Sequence, residues 1–223
     1  DRSPMTDHKI PASLKPNPSI RYQSRPTSSM VILLGGVPGV GKTTIGNALL
    51  VSLGLTHHIS TGFLRAAIDH FLPEEKAKLI RRQAFNAYEE LLESDKPDSE
   101  RILSGCMAQT ELLKPIFKAC IARATREGIG LVLEGSHFIP GVIDPQEYGA
   151  DLLCVLDVPN REELKARARS PNHLTRNLSN YDLERLIKLQ DQLLIMARKQ
   201  NHPIVINNDL GDAVRQIQGL VGA

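Results

Sequence analysis

The stretch Gly36–Thr43, which reads GVPGVGKT, restricts the possible folds of this chain more than any other. It has the spacing G-x-x-x-x-G-K-[ST], it follows the apolar run Met30–Leu34, and a helical pattern begins at Lys42. Glycines at this spacing let consecutive backbone N–H groups turn inward around a phosphate, and the helix that follows presents its positive end. The pattern therefore predicts a strand, a phosphate-binding loop and a helix. The alternative is a glycine-rich turn with a surface lysine.

Two side chains of this stretch, and one farther along the chain, have predicted roles beside the phosphates. Lys42 is expected to reach the β- and γ-phosphates, and the Thr43 hydroxyl is expected to bind Mg²⁺. Glu134 ends a later apolar strand, which is where such proteins place a carboxylate near the water shell of the metal. We therefore expect Glu134 to bind Mg²⁺ through water. Alternatively, Glu134 caps a helix or forms a structural salt bridge.

Five strand candidates alternate with helical patterns along the chain. The strand candidates are short and apolar, as in parallel strands covered on both faces; they are Met30–Leu34, His58–Thr61, Ile129–Glu134, Leu152–Asp157 and Pro203–Asn207. The helical patterns are Lys42–Leu53, Pro73–Ser94, Ser99–Glu127 and Tyr181–Asn201. Pro115 is expected to kink or divide the third of these. The alternation predicts an α/β fold with a doubly wound, five-stranded parallel sheet, in which the two helices between strands two and three form an inserted substrate-binding cover.

Length and composition favour one globular domain with a small-molecule partner. At 223 residues the chain suits one α/β domain with a small helical insertion. Residues 1–29 contain five prolines and little apolar periodicity, so we predict an extended tail before a domain that spans residues 30–223. The net charge is only +2 and aromatic residues make up 4%, which gives no global reason to expect a nucleic-acid partner.

Cysteine usage and hydropathy predict a cytoplasmic protein that does not enter a membrane. Cys106, Cys120 and Cys154 are odd in number and lack CxxC spacing, so we expect reduced, buried thiols rather than a disulfide framework or a zinc site. No apolar run approaches the ~18 residues that a membrane-spanning helix needs. The first residues show no apolar signal region, so nothing in them indicates export.

Further motifs narrow the class of phosphate-loop protein. GTPases need an Asn-Lys-x-Asp motif, which the sequence lacks, and large motor ATPases need far more chain. Small-molecule and nucleotide kinases remain. Several stretches resemble 2-phosphoglycerate kinase, and together the similarity covers nearly everything from Met30 onward; they are Leu34–Ile45, Ile59–Arg65, Leu133–Ile143, Leu189–Leu193 and Pro203–Asn207. The element E-G-x-H-x-x-P-G, here Glu134–Gly141, is the most distinctive of these features.

The resemblance implies an ATP-dependent kinase that phosphorylates 2-phosphoglycerate to 2,3-bisphosphoglycerate. It implies acceptor contacts from Arg65 and from the corner between Glu134 and His137. It also implies that the ATP phosphates bind to Gly36, Val37, Pro38, Gly39, Val40, Gly41, Lys42, Thr43 and Thr44. One departure concerns the base, because the family usually has Asp after the Ser-Thr of the second strand and this chain has Gly62. In related kinases that Asp orients or deprotonates the attacking hydroxyl.

The residues around the second strand also indicate an anion site without reference to the family. Ser60, Thr61 and Gly62 are expected to open a helix, and the N-terminus of a helix attracts an anion. Arg65 lies one turn inside, where it is expected to form a fork with a phosphate or carboxylate. The alternatives are a solvated Arg65 and a His137 that only packs its loop. Arg81 and Arg82 are further candidates to face this site, although a solvated helix face explains them better.

Residues 165–176 are rich in arginine and look like a mobile lid. Phosphoryl transfer needs positive charge near the γ-phosphate and exclusion of water, which such a lid supplies on closure. The candidates are Arg167, which we expect to bind ATP, Arg176, which we expect to be catalytic, and Arg169. One or two of them are expected to touch ATP, with the rest solvated.

The sequence thus predicts an Mg²⁺- and ATP-dependent kinase of a small anionic hydroxy acid, with 2-phosphoglycerate first. Two rivals stay open. One is a kinase of the same fold that uses another acceptor, such as a nucleotide or a sugar acid. The other is a nucleotide-binding regulatory module that lost its base at Gly62.

Overall fold

A five-stranded, all-parallel sheet forms the centre of the protein. In the computed structural model, which describes residues 30–92, 95–169 and 177–222, the strand order is β2-β3-β1-β4-β5. The strands are β1 Val31–Gly35, β2 His57–Ser60, β3 Leu131–Glu134, β4 Leu152–Asp157 and β5 Ile204–Ile206. Every residue of β1, β3 and β4 is buried. The predicted fold class is therefore confirmed.

Helices cover both faces of the sheet, so each strand contributes to two apolar layers. In β1, Ile32 and Leu34 pack into one layer, while Val31 and Leu33 pack into the other together with Phe117. This alternation follows from the two-residue repeat of a strand. The helices are α1 Lys42–Leu53, α2 Thr61–Asp69, α3 Glu74–Arg81, α4 Asp98–Glu127, α5 Pro145–Tyr148, α6 Arg161–Ala168, α7 Asn180–Lys199 and α8 Leu210–Leu220, with a 3-10 helix at Ala87–Glu90.

The register of the sheet brings three chain segments together at one edge. Leu34 pairs with Glu134, and Ser60 pairs with Glu134 from the other side. The carboxyl ends of β1, β2 and β3 therefore meet, and ligands of open parallel sheets bind at such an edge. The segments that follow these strands are the glycine-rich loop, α2 and the loop that carries His137.

The single helix predicted over Pro73–Ser94 is wrong. α3 ends at Arg81, and Arg82 has an extended ψ of 152°. The physical reason is a tertiary one: the Gln109 amide donates to the carbonyls of Leu79 and Arg82, which a continuing helix would have used. Residues 87–90 form the separate 3-10 helix, and residues 93–94 lie outside the described part.

The predicted division of the next helix at Pro115 is also wrong, because α4 is one helix from Asp98 to Glu127. Pro115 lies on the exposed side, where water can bond to the carbonyl that proline leaves without a partner. Leu113, Phe117 and Ile121 lie on the opposite side and are fully or almost fully buried. Packing of that side against the sheet keeps the helix continuous.

Two smaller boundaries differ from the sequence prediction. Thr61 begins α2 instead of ending β2, because Ser60 caps the helix by accepting a hydrogen bond from the Gly62 amide. Lys165–Ala168 form the last turn of α6 rather than a lid. Residues 1–29, the predicted tail, and residues 170–176, the rest of the predicted lid, lie outside the described residues. Within the described ranges no helix is long and apolar enough to cross a membrane.

Candidate active site

The glycine-rich loop has the backbone shape that its glycines permit. Gly36, Gly39 and Gly41 have φ values of 133°, 94° and 91°, which residues other than glycine rarely adopt. At Gly41 a Cβ atom would also lie 2.2 Å from the Asn207 amide nitrogen. The loop therefore requires glycine, and the alternative of an ordinary turn with a surface lysine does not describe it, because Lys42 is only 9% exposed.

Three buried or half-buried polar side chains from other segments hold the loop from behind. The Gln190 carbonyl oxygen accepts from the Val37 amide at 3.1 Å, the Ser136 hydroxyl donates to the Gly36 carbonyl at 3.0 Å, and the Asn207 amide donates to the Val40 carbonyl at 2.8 Å. The Val37 N–H therefore donates to Gln190 and not to a phosphate. Of the nine loop residues predicted to bind ATP, Gly36, Val37 and Val40 do not line the cavity, whereas Pro38, Gly39, Gly41, Lys42, Thr43 and Thr44 do.

Lys42, Thr43 and Glu134 lie together at the loop. The Lys42 ammonium donates to the Val37 carbonyl at 2.9 Å and lies 3.9 Å from Glu134 Oε2. The Thr43 hydroxyl donates to Glu134 Oε1 at 3.0 Å. Glu134 is only 4% exposed and Lys42 9%, so their contact forms with little competition from water, whereas Thr43 is exposed.

This pair of oxygen ligands fits Mg²⁺. Mg²⁺ prefers oxygen, keeps several of its waters and is usually held by one or two protein groups together with phosphates. The Thr43 hydroxyl and the Glu134 carboxylate supply such groups 3.0 Å apart. The described residues contain no cluster of three or more His, Cys, Asp or Glu side chains that would form a cage for a metal.

The second half of the site is built around His137. His137 Nδ1 lies 2.9 Å from the Thr61 hydroxyl, and Nε2 lies 2.9 Å from the Gln109 carbonyl oxygen. Burial lowers the pKa of His137 well below its ordinary value, and the positive charges of Arg65 and Lys42 lower that pKa further. His137 is therefore neutral near pH 7, and it both packs its loop and lines the cavity.

Arg65 lines the same cavity, whereas its neighbours Arg81 and Arg82 do not. The Arg65 guanidinium donates to the carbonyls of Ile80 and Arg82, so it is held in place rather than solvated. Arg81 forms ion pairs with carboxylates outside the cavity, those of Asp69 and Glu74. Arg82 pairs in the same way with Glu89 and Glu90.

Among the predicted lid arginines that the structure describes, only Arg167 lines the cavity. Its guanidinium donates to the Asn207 carbonyl at 2.9 Å and pairs with Glu163. Arg169 bonds to the Asn180 side chain and is absent from the described lining. Arg176 lies outside the described residues.

One cavity of about 780 Å³ joins all of these groups. The strand order puts the segments that follow β1 and β5 on one side of β3 and the segment that follows β2 on the other, which defines two ends of the cavity. The lining at the first end comprises the loop, Arg167, Asn207, Asn208 and Leu210, and the lining at the second comprises Thr61, Gly62, Arg65, Gln83, Ala84 and His137. The volume lies in the range of small-molecule sites, and Glu134, the last residue of β3, lies between the two ends.

Sequence reasoning missed Gln109, Gln190, Ser136 and Asn207. Two of them had a detectable signal. Gln109 falls on the apolar stripe of α4 between Cys106 and Leu113, and Gln190 falls on the stripe of α7 between Leu186 and Leu193. A polar residue at such a position must find a buried partner, so it marks a specific contact.

Comparison with known proteins finds relatives of this chain in sequence and in fold. No family model matches the chain. The chain is 31% identical over 193 residues to 2-phosphoglycerate kinase of Pyrococcus horikoshii, and 31% identical over 194 residues to that of Thermococcus kodakarensis. The matches cover 84% of this chain in both cases. The chain is a homologue of the 2-phosphoglycerate kinases. The resemblance stated from the sequence is thereby confirmed.

The similarity covers only part of the length of these relatives. The chain spans 62% of the length of the Pyrococcus protein and 64% of the Thermococcus protein. Among solved structures, shikimate kinase from Acinetobacter baumannii in complex with shikimate matches with a TM-score of 0.52 at 15% identity, over 86% of this chain and 92% of that one. This likeness concerns the fold alone.

Proposed function

We propose that the chain is an ATP- and Mg²⁺-dependent kinase of a small anionic hydroxy acid, with 2-phosphoglycerate as first candidate and 2,3-bisphosphoglycerate as its product. The observation that carries the proposal is the single cavity with two differently equipped ends. The phosphate loop with Lys42, Thr43 and Glu134 faces one end, and the start of α2 with Arg65 faces the other.

The loop end supports ATP as the phosphoryl donor. Lys42 is held by the Val37 carbonyl, which keeps its ammonium at the phosphate loop. Thr43 and Glu134 would hold Mg²⁺, the latter through water. When bound, Mg²⁺ supplies positive charge to the phosphate oxygens. Arg167 is placed to add positive charge at the same end of the cavity.

The acceptor end supports a small anion rather than a nucleoside. A phosphoglycerate carries a phosphate and a carboxylate, so its pocket needs cationic or N–H-rich groups beyond those that hold ATP. Arg65 and the N-terminus of α2, a helix of nine residues, supply such groups. The described lining contains no Phe, Tyr or Trp side chain that would stack on a base.

The proposal is tested by ATP turnover with a panel of acceptors, namely 2-phosphoglycerate, nucleoside monophosphates and unphosphorylated sugar acids. We expect 2-phosphoglycerate to be phosphorylated in preference to the others. Activity on a nucleotide but not on 2-phosphoglycerate would favour a kinase with another acceptor. Tight ATP binding without turnover of any acceptor would favour a regulatory module.

Arg65→Ala is expected to raise the KM for the acceptor by about 10–100-fold, because a hydrogen bond to a charged group contributes about 1.5–3 kcal/mol. The KM for ATP should change far less, since Arg65 lies at the other end of the cavity. Steady-state kinetics with each substrate varied in turn measure both constants.

Arg81→Ala is the matched control for Arg65→Ala, because Arg81 forms its ion pairs outside the cavity. It should leave both KM values at the wild-type level. A rise in the KM for ATP that equals the rise for the acceptor would contradict the assignment of Arg65 to the acceptor end.

Gly62→Asp is expected to leave kcat unchanged or to raise it. A Cβ atom at Gly62 would meet only the Ser60 hydroxyl, at 3.3 Å, so a side chain there requires no more than a small shift of that hydroxyl. The transition state of phosphoryl transfer is loose and needs little help from a base. Comparison of kcat for Gly62→Asp and the uncharged control Gly62→Asn separates the effect of the carboxylate charge from the effect of side-chain size. A large loss in both variants would show that substrate approaches this position closely.

A further inference from the structure

Three buried side chains form a hydrogen-bonded chain that ends at the cavity. Gln109, His137 and Thr61 are 0%, 2% and 3% exposed. The carbonyl oxygen of Gln109 lies 2.9 Å from His137 Nε2, and His137 Nδ1 lies 2.9 Å from Thr61 Oγ1. Thr61 and His137 line the cavity, whereas Gln109 lies behind them.

The orientation of the Gln109 amide follows from its other contacts. Its nitrogen lies 2.7 Å from the Leu79 carbonyl oxygen and 2.9 Å from the Arg82 carbonyl oxygen. Carbonyl oxygens only accept hydrogen bonds, so the NH₂ group must face them. The Gln109 oxygen therefore faces His137, and it too can only accept.

The direction of the next two hydrogen bonds is then determined. His137 must carry its proton on Nε2 to donate to Gln109. Because burial and the charges of Arg65 and Lys42 keep His137 neutral, Nδ1 has no proton and accepts. The Thr61 hydroxyl donates its only proton to Nδ1, and its oxygen presents only lone pairs to the cavity.

Thr61 lies beside the end of β3, between the segments that form the two ends of the cavity. Ser60, the residue before it, pairs with Glu134 across the sheet. A Cβ atom at Gly135 would lie 1.9 Å from Thr61 Oγ1, so the glycine after Glu134 makes room for this hydroxyl. The Thr61 oxygen is thus placed beside the point where the two substrates would meet.

We propose that Thr61 Oγ1 accepts the hydrogen bond of the substrate hydroxyl that is to be phosphorylated, and that Gln109 and His137 are positioning residues that keep Thr61 in this direction. The inference rests on the proposed kinase function. An oxygen that only accepts favours a hydroxyl donor at this point and disfavours a carboxylate or phosphate oxygen, which itself only accepts. It therefore distinguishes the reactive hydroxyl from the anionic groups of the acceptor, which we assign to Arg65.

The arrangement orients the nucleophile without supplying a base. With its proton directed to Thr61, the substrate hydroxyl keeps a lone pair for attack on the γ-phosphorus. The new O–P bond forms as the bond from that phosphorus to the bridging oxygen breaks and ADP leaves. The hydroxyl proton goes to an oxygen of the transferred phosphoryl group, because His137, beside Arg65 and Lys42, is a poor acceptor of a second proton. Orientation of this kind is consistent with Gly62 in place of an aspartate.

The first test reads the proton positions and does not depend on any activity. Nitrogen NMR of the full chain labelled with ¹⁵N-histidine, at pH 7, is expected to show His137 as the neutral Nε2–H tautomer, with His137→Asn used to assign the signal. Gln109→Leu should remove this preference. An Nδ1–H tautomer or an imidazolium at His137 would overturn the proposal, whatever the substrate of the chain proves to be.

The second test uses the acceptor that the panel identifies. Thr61→Val, which has the same shape without the hydroxyl, is expected to lower kcat about tenfold, the value of one hydrogen bond, and to leave the KM for ATP unchanged. Thr61→Ser should restore most of the loss. Gln109→Leu should lower kcat at saturating acceptor in the wild-type background but not further in the Thr61→Val background, because its effect on kcat passes through the same hydroxyl. Gln109 shares the Arg82 carbonyl with Arg65, so any displacement of Arg65 should raise the KM for the acceptor instead.

Thr56→Val is the control for loss of a threonine hydroxyl. Thr56 donates to the Gly130 carbonyl at 3.2 Å and is absent from the described lining of the cavity, so kcat should stay at the wild-type level. Wild-type kcat in Thr61→Val, or a full additional loss from Gln109→Leu in that background, would overturn the proposal. If no acceptor is phosphorylated, the proposed function fails and the tautomer of His137 still decides whether Thr61 presents an acceptor to the cavity.

Discussion

Lys42→Ala is expected to lower kcat by about 10²–10³-fold, the usual effect of removing one charge donor aimed at the transition state. The Lys42 ammonium lies at the phosphate loop, 2.9 Å from the Val37 carbonyl and 3.9 Å from Glu134 Oε2. No other described lysine lines the cavity. Alanine removes this positive charge, so the negative charge that develops on the phosphate oxygens is no longer stabilised by a lysine. Steady-state turnover with saturating ATP and acceptor measures the effect.

The fold should survive Lys42→Ala, because Glu134 keeps its hydrogen bond from Thr43. Thermal unfolding monitored by circular dichroism checks this point. Lys114→Ala is the matched control, since Lys114 pairs with Glu111 along α4, away from the cavity. Near-normal turnover in a correctly folded Lys42→Ala variant would refute the assignment of Gly36–Thr43 as a catalytic phosphate loop.

Glu134→Gln is expected to lower turnover by about 10–100-fold and to shift the Mg²⁺ dependence to higher concentrations. Glu134 accepts from Thr43 at 3.0 Å and lies beside Lys42, so its carboxylate connects the proposed metal site with the phosphate site. An amide carries no charge, and one of its two polar atoms donates instead of accepting. Turnover measured over a series of Mg²⁺ concentrations separates weaker metal binding from a slower chemical step.

Glu111→Gln is the control for Glu134→Gln, because Glu111 is an exposed carboxylate whose partner is Lys114. It should retain both wild-type turnover and the wild-type Mg²⁺ dependence. If Glu134→Gln also retains both, Glu134 is a structural partner of Lys42 and Thr43, which was the alternative interpretation of its position after β3.

Features that depend on neighbouring residues could be predicted from the sequence. The glycine-rich loop followed by α1 is one, because three glycines with positive φ and the N-terminus of a helix are local properties. The strands are others, since short apolar runs covered on both faces have few alternatives. Glu134 was predicted near the metal because phosphate-loop proteins place a carboxylate at the end of such an apolar strand.

Only the tertiary structure decided which polar residues share the site. Arg65, Arg81 and Arg82 have identical side chains, yet only Arg65 lines the cavity. The reason is that α3 packs on α2, so that the carbonyls of Ile80 and Arg82 accept hydrogen bonds from Arg65. Gln109 ends α3 by bonding to the carbonyls of Leu79 and Arg82, 30 and 27 residues away. Such contacts depend on how distant segments pack, and local propensity carries no information about them. The sequence by itself thus determined the glycine-rich loop and the parallel sheet, whereas packing of the inserted helices determined the end of the cavity around Arg65 and His137, because its hydrogen bonds join residues that only the folded chain brings together.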